Sequence, residues 1–143
     1  MSHGLWPVSY THLVTKLFEE FGEERFRELE TAALEGLRGE RSLLVSCGGG
    51  IVETPRNIEL MHDMGFCVYL DGDLDDSLRQ IRRSDTRPDF RSAEHAARLL
   101  EHRRPLYEQA ADLTVDIRGT SFTDVSYTVA EPVSYTHLAW GLL

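Results

Sequence analysis

Several residues in this chain have the types and spacing needed to seize an anion beside a bare backbone. Ser46-Cys47-Gly48-Gly49-Gly50-Ile51-Val52 follows the apolar run Leu43-Leu44-Val45. Three consecutive glycines at the end of a strand let a ligand approach the main-chain N–H groups closely. Arg27 stands in Phe26-Arg27-Glu28-Leu29-Glu30, and a spacing of three on a helix lets Glu30 orient it. Arg87 precedes Pro88, and Arg103 opens Arg103-Arg104-Pro105-Leu106-Tyr107. Fourteen of the fifteen basic residues are arginine, whose planar fork suits carboxylate and phosphate. Between Arg79 and Arg104 eight arginines outnumber four acids, a local charge of +4 in a chain of net charge −9. The net charge argues against a nucleic-acid partner, and one arginine-rich segment in an acidic protein suggests an anion site. The competing reading of any one of these arginines is a solvated surface charge, with Glu23 or Glu24 as the natural partner of Arg27.

The elements that must position these residues follow from periodicity. A short helix over Val14–Glu20 stops near Gly22. A second, Glu23–Leu37, places Phe26, Leu29, Ala33 and Leu37 on one face, with Arg27 off that stripe. Ser42–Ser46 and Phe66–Leu70 read as strands. Thr54-Pro55 opens a helix that runs to about Met64 and ends at Gly65. Asp73 caps a helix carrying Leu74, Leu78 and Ile81. Ser84–Arg91 breaks the pattern and reads as a mobile loop. Ser92 caps a long helix to about Ala110, which Pro105 should kink. Asp112–Ile117 is a third strand, and Ser121 caps a last helix with Phe122, Val125 and Val129 inward. Strands alternating with helices predict an α/β fold with a parallel sheet and helices on both faces. The chemistry of such a sheet lies at the carboxyl ends of its strands, where Gly48–Gly50 falls.

Other classes of chemistry receive less support. Cys47 and Cys67, without a secretory signal, read as reduced, buried thiols with no base to activate them. His62, His95 and His102 lack metal-ligand spacing and read as solvent-facing, so no metal site is assigned. Tyr107 reads as a core residue with a bonded hydroxyl. No apolar run approaches the roughly 20 residues that span a bilayer. The expectation is a cytoplasmic monomer with no membrane or nucleic-acid partner.

Pro7-Val8-Ser9-Tyr10-Thr11-His12-Leu13 recurs unchanged as Pro132-Val133-Ser134-Tyr135-Thr136-His137-Leu138. A single copy near each end is not a solenoid repeat. One codon choice for it spells the mosaic-end adapter used in building sequencing libraries. Residues 1–13 and 132–143 are therefore expected to be translated adapter, leaving residues 14–131 for fold reasoning.

From about Leu17 to Glu131 the motifs, in order and spacing, resemble shikimate kinase. The resemblance implies the P-loop kinase fold and ATP-dependent phosphorylation of the shikimate 3-hydroxyl in aromatic amino acid biosynthesis, with ATP and Mg2+ as cofactors. It implies that Arg27 and Arg103 grip the shikimate carboxylate and that Gly48, Gly49 and Gly50 face the ring hydroxyls. Arg87 would be the lid arginine that meets the transferring phosphate, and Arg83 would lie near adenine, with Arg82 competing for that place. The family's phosphate cradle, G-x-x-x-x-G-K-S/T, does not occur in this sequence, whose one lysine is Lys16. The chain is thus expected to lack the P-loop strand, to be inactive as it stands, and to be marginally stable and aggregation-prone. The family pattern also differs at Asp89, an acid beside the lid arginine, and at Cys47. Alternatives are a non-catalytic module for a small polyhydroxy carboxylate and another small-molecule kinase of the same fold.

Overall fold

Helix α1 (Tyr10–Glu35) is two helical segments meeting at Gly22, where φ 78° and ψ 169° leave helical space. A positive φ of this kind is open to glycine and strained for other residues. The computed structural model describes residues 10–73, 93–121 and 124–130. The break falls where the sequence predicts one, although the first segment begins at Tyr10 rather than Val14.

The inward face of the second segment differs from the expected stripe. Leu34 is buried and Leu37 packs on the core, whereas Leu29 and Ala33 are exposed. Arg27 and Glu30 lie on the same side as Leu34, at helical spacing, and both side chains are nearly buried. A hydrophobicity stripe misses this face because a paired arginine and carboxylate satisfy each other and tolerate burial that either alone would not.

A 3₁₀ turn (Gly49–Glu53) leads through Thr54 into α2 (Pro55–Met64), which carries proline in its first turn and closes with the Gly65 N–H on the Met61 carbonyl. Ile51 and Val52 of the turn join Leu34, Ile58, Leu60 and Ala110 in one apolar cluster, with Leu106 and Tyr107 packed against it. The core therefore sits directly beneath the glycines.

Strands β1 (Val68–Asp71) and β2 (Leu113–Asp116) pair in parallel, with Val68 opposite Leu113 and Asp71 opposite Asp116. The Asp112 carboxylate accepts the Cys67 N–H at 2.7 Å and starts the ladder. Between the strands in sequence, α3 (Ala93–Ala110) continues through Pro105. A final helix spans residues 124–130, and the Ser121 hydroxyl accepts the Asp124 N–H at 3.3 Å, as the capping signal predicts. Interleaved helices and parallel strands bear out the α/β reading.

The predicted strand at Ser42–Ser46 does not form. Residues 43–48 have no regular structure and no ladder hydrogen bonds among the described residues, and Leu43, Leu44 and Val45 are exposed at 54%, 101% and 48%. A strand is made by its neighbour rather than by propensity alone. β1 takes β2 as its partner, and no described strand offers a ladder to residues 43–46. The predicted helix after Asp73 and the loop with Arg83 and Arg87 lie outside the described residues. No helix among the described residues is long and apolar enough to cross a membrane.

Candidate functional site

The glycine turn is wedged between two helices, each of which presents an arginine to it. Gly50 is buried, and a Cβ placed on it would collide with the Arg27 guanidinium, 2.6 Å from Nη2 and 2.8 Å from Cζ. A Cβ on Gly49 would lie 2.8 Å from the Tyr107 hydroxyl and 3.6 Å from Nη1 of Arg103. These contacts explain why glycine stands here: φ is unremarkable, and the side-chain space is already filled by other side chains. Gly48 has open space around it.

Arg27 reaches the turn from α1. Its Nη1 donates to Glu30 Oε2 at 2.9 Å, and Nη2 stands 3.6 Å from Glu23 Oε1. The guanidinium also lies over the rings of Phe18 and Phe26, 5.8 and 5.4 Å from their centroids, a cation–π setting that straddles the Gly22 break. Its Nε is buried without a hydrogen-bond partner among the described residues.

Arg103 and Tyr107 reach the turn from α3, one helical turn apart on the same face. The Tyr107 hydroxyl donates to the Gly49 carbonyl at 2.7 Å, and its ring stacks on Tyr69 at 5.0 Å. The Arg103 side chain is 6% exposed, and Nε donates to Glu53 Oε1 at 2.6 Å. Glu53 Oε2 lies 3.1 Å from His102 Nε2. Burial alone would raise the Glu53 pKa, but hydrogen bonds from Arg103 and His102 outweigh it and hold the carboxyl below its ordinary value.

Arg27, Gly48–Gly50 and Arg103, all singled out from sequence, are thus brought together. Arg83 and Arg87 lie outside the described residues. Glu53 was missed, because its partner is fifty residues away in sequence and nothing local marks it. Asn57 was missed as well. It is fully buried, and Nδ2 donates to the Ile51 carbonyl at 3.0 Å, pinning the 3₁₀ turn to α2. Its place three residues into a helix opened by Thr54-Pro55, just after the glycines, was the available signal. At the strand ends, Asp71 accepts from the Tyr69 hydroxyl at 3.0 Å and from Arg104 Nη1 at 2.8 Å. Burial, then the bond to Asp71, pushes the Tyr69 hydroxyl up to about 12.

Several expectations need correction. Cys47 is exposed rather than buried, and the strand expected just before it does not form. Its sulfur is still crowded enough that desolvation, then the Glu30 charge, raises its pKa. The Cys67 thiol is pushed up to about 11 by burial, then by Asp112 and Cys47. Neither thiol is activated, because thiolate formation is disfavoured at both. His62 and His102 are partnered rather than simply solvent-facing: His62 Nε2 lies 3.0 Å from the Ala110 carbonyl, and His102 meets Glu53.

The family model for shikimate kinase matches residues 10–133. The chain belongs to the shikimate kinase family. Among curated shikimate kinases it is 34% identical over 114 residues to that of Dehalococcoides mccartyi, covering 78% of this chain and 65% of the relative. It is 38% identical over 120 residues to that of Geobacter sulfurreducens, covering 82% and 66%. To that of Thioalkalivibrio sulfidiphilus it is 41% identical over 115 residues, covering 78% and 60%. The chain therefore spans less than two thirds of the length of these shikimate kinases. A solved shikimate kinase from Acinetobacter baumannii in complex with shikimate superposes with a TM-score of 0.79 at 26% identity, covering 86% of this chain and 70% of that one. The fold is accordingly the α/β fold of the P-loop kinases.

Proposed function

We propose that this chain carries the acceptor side of a shikimate kinase. The parent reaction moves the γ-phosphoryl group of ATP to the 3-hydroxyl of shikimate. Arg27 and Arg103 are the carboxylate clamp, and the Gly48–Gly50 backbone faces the ring hydroxyls. The observation that carries this reading is the convergence of the two arginines on adjacent glycines, Arg27 on Gly50 and Arg103 on Gly49. Two nearly buried forks beside adjacent glycines suit a small ligand with one carboxylate and several hydroxyls. The protein works as a cytoplasmic monomer.

The described residues do not fit Mg2+-ATP. The sequence has no G-x-x-x-x-G-K-S/T cradle, and no three His, Cys, Asp or Glu side chains gather to hold a metal among the described residues. Arg87, as the lid arginine, and Arg83, near adenine, complete the reading from outside the described residues. Turnover by this chain is expected to be negligible, because phosphoryl transfer depends on the phosphate cradle.

Calorimetric titration of the chain with shikimate tests the reading. Saturable one-to-one binding, lost in Arg27→Ala and unaffected by added ATP, is the expected result. No heat of binding, or equal binding by Arg27→Ala, would refute it. Shikimate-dependent ADP release by the pure chain would refute the expected inactivity.

A further inference from the structure

Each arginine of the clamp is tethered to a carboxylate, but the tethers differ in kind. Glu30 lies on the same helix as Arg27. Glu53 belongs to a different element from Arg103 and reaches it across fifty residues of sequence. Glu53 also ends the 3₁₀ turn that Gly49 begins. The element that offers the glycines is therefore the element that holds the arginine.

We propose that Glu53 is a positioning residue that selects which edge of Arg103 meets the ligand carboxylate. A guanidinium has two edges able to meet a carboxylate in parallel, one made by Nε with an Nη and one by the two Nη atoms. Glu53 takes Nε at 2.6 Å. Nη1 lies on the glycine side, 3.6 Å from the place a Gly49 Cβ would occupy. The side chain is 6% exposed, so its orientation is set by neighbours rather than by water. Glu53 is itself held from its other oxygen by His102 at 3.1 Å. Arg27 differs: its Nη1, the atom held by Glu30, is also the one that abuts Gly50, so only at Arg103 are the tethered atom and the glycine-side atom distinct.

An opposing effect must be weighed. A carboxylate on Arg103 also neutralises it, which by itself weakens the pull on an anionic ligand. Positioning and neutralisation predict opposite signs when Glu53 is altered, so the question is decidable. Glu53→Gln removes the charge but keeps an acceptor for Nε. Glu53→Ala removes both.

This inference rests on the acceptor-side reading, and the experiment separates the two. Isotope-labelled protein reports the Arg103 Nε–H resonance by NMR, and shikimate affinity is titrated in the same samples. The native chain should show a slowly exchanging Nε–H that persists, shifted, in Glu53→Gln and is lost in Glu53→Ala. Shikimate binding should weaken on the order of tenfold in Glu53→Ala, the scale of one charge-assisted hydrogen bond, and by less than about threefold in Glu53→Gln, with thermal melts confirming that both variants fold. Binding as tight as native, or tighter, in both variants would overturn the proposal in favour of plain neutralisation. If the native chain does not bind shikimate, the acceptor-side reading fails. Glu53 is then judged by the resonance alone: survival of the protected Nε–H in Glu53→Ala refutes the tether, and its loss upholds it.

Discussion

Alanine at each glycine of the turn should have graded effects on stability, because the three positions meet different neighbours. At Gly48 the new Cβ meets nothing within 4 Å, and φ is −69°. Gly48→Ala should be neutral or stabilising by about 0.4–1 kcal/mol through the lower entropy of the unfolded chain. At Gly49 the Cβ displaces the Tyr107 hydroxyl, whose 2.7 Å bond to the Gly49 carbonyl is worth about 1 kcal/mol, so gain and loss nearly cancel. At Gly50 the Cβ must evict the Arg27 guanidinium from its bond to Glu30. A hydrogen bond between charged groups contributes about 1.5–3 kcal/mol. Both side chains keep some exposure, 13% and 14%, and Arg27 can recover part of the contact by swinging outward. The net cost is then about 1–2 kcal/mol, or about 3–8 °C in Tm for a chain of this size. Thermal unfolding followed by far-ultraviolet circular dichroism measures all three. A Gly48→Ala loss as large as that of Gly50→Ala would refute the reasoning, since it would mean that the turn rejects any side chain regardless of Arg27.

Other outcomes follow from the same geometry. Arg27→Lys keeps the charge but replaces the fork with a point donor, so shikimate affinity should fall on the order of tenfold or more by calorimetry. Tyr107→Phe frees the Gly49 carbonyl and should lower Tm by about 3–4 °C, the equivalent of about 1 kcal/mol. The folded Glu53 carboxyl binds its proton less readily than the unfolded one, whose ordinary pKa is 4.5. Its contribution to stability is therefore complete above pH 4.5 and is lost as pH falls through the lower folded value. Melts of the native chain and Glu53→Gln should differ above pH 4.5 and converge as pH falls through the lower folded value.

Much of the candidate site was legible because its residues are marked locally. A glycine run after an apolar stretch, an arginine three residues from a glutamate on a helix, and an Arg-x-Pro-Leu-Tyr segment each announce themselves in sequence. The family match then covers the span the motifs suggested. Glu53 and Asn57 were not legible, because each acts through a partner that only the fold brings near: Arg103 on α3 for one, the Ile51 carbonyl for the other. The inward face of α1 was misread for a related reason, since Arg27 and Glu30 are tolerable there only as a pair. The strand at residues 43–46 failed differently. Its composition favours β structure, but a ladder needs a second strand, and sequence pattern alone does not say whether one is supplied.

The open segment Leu43–Val45 separates two properties often treated as one. Its side chains contribute little to the fold's own stability, since they are largely in water. They bear on how one molecule meets another, because an exposed, β-prone apolar run outside any described ladder is open to strand addition by another chain. The colloidal behaviour of this protein should therefore be governed by concentration at temperatures far below its melt. The glycine turn, which follows at Gly48, shares that fate: whatever docks on residues 43–45 arrives at the threshold of the site.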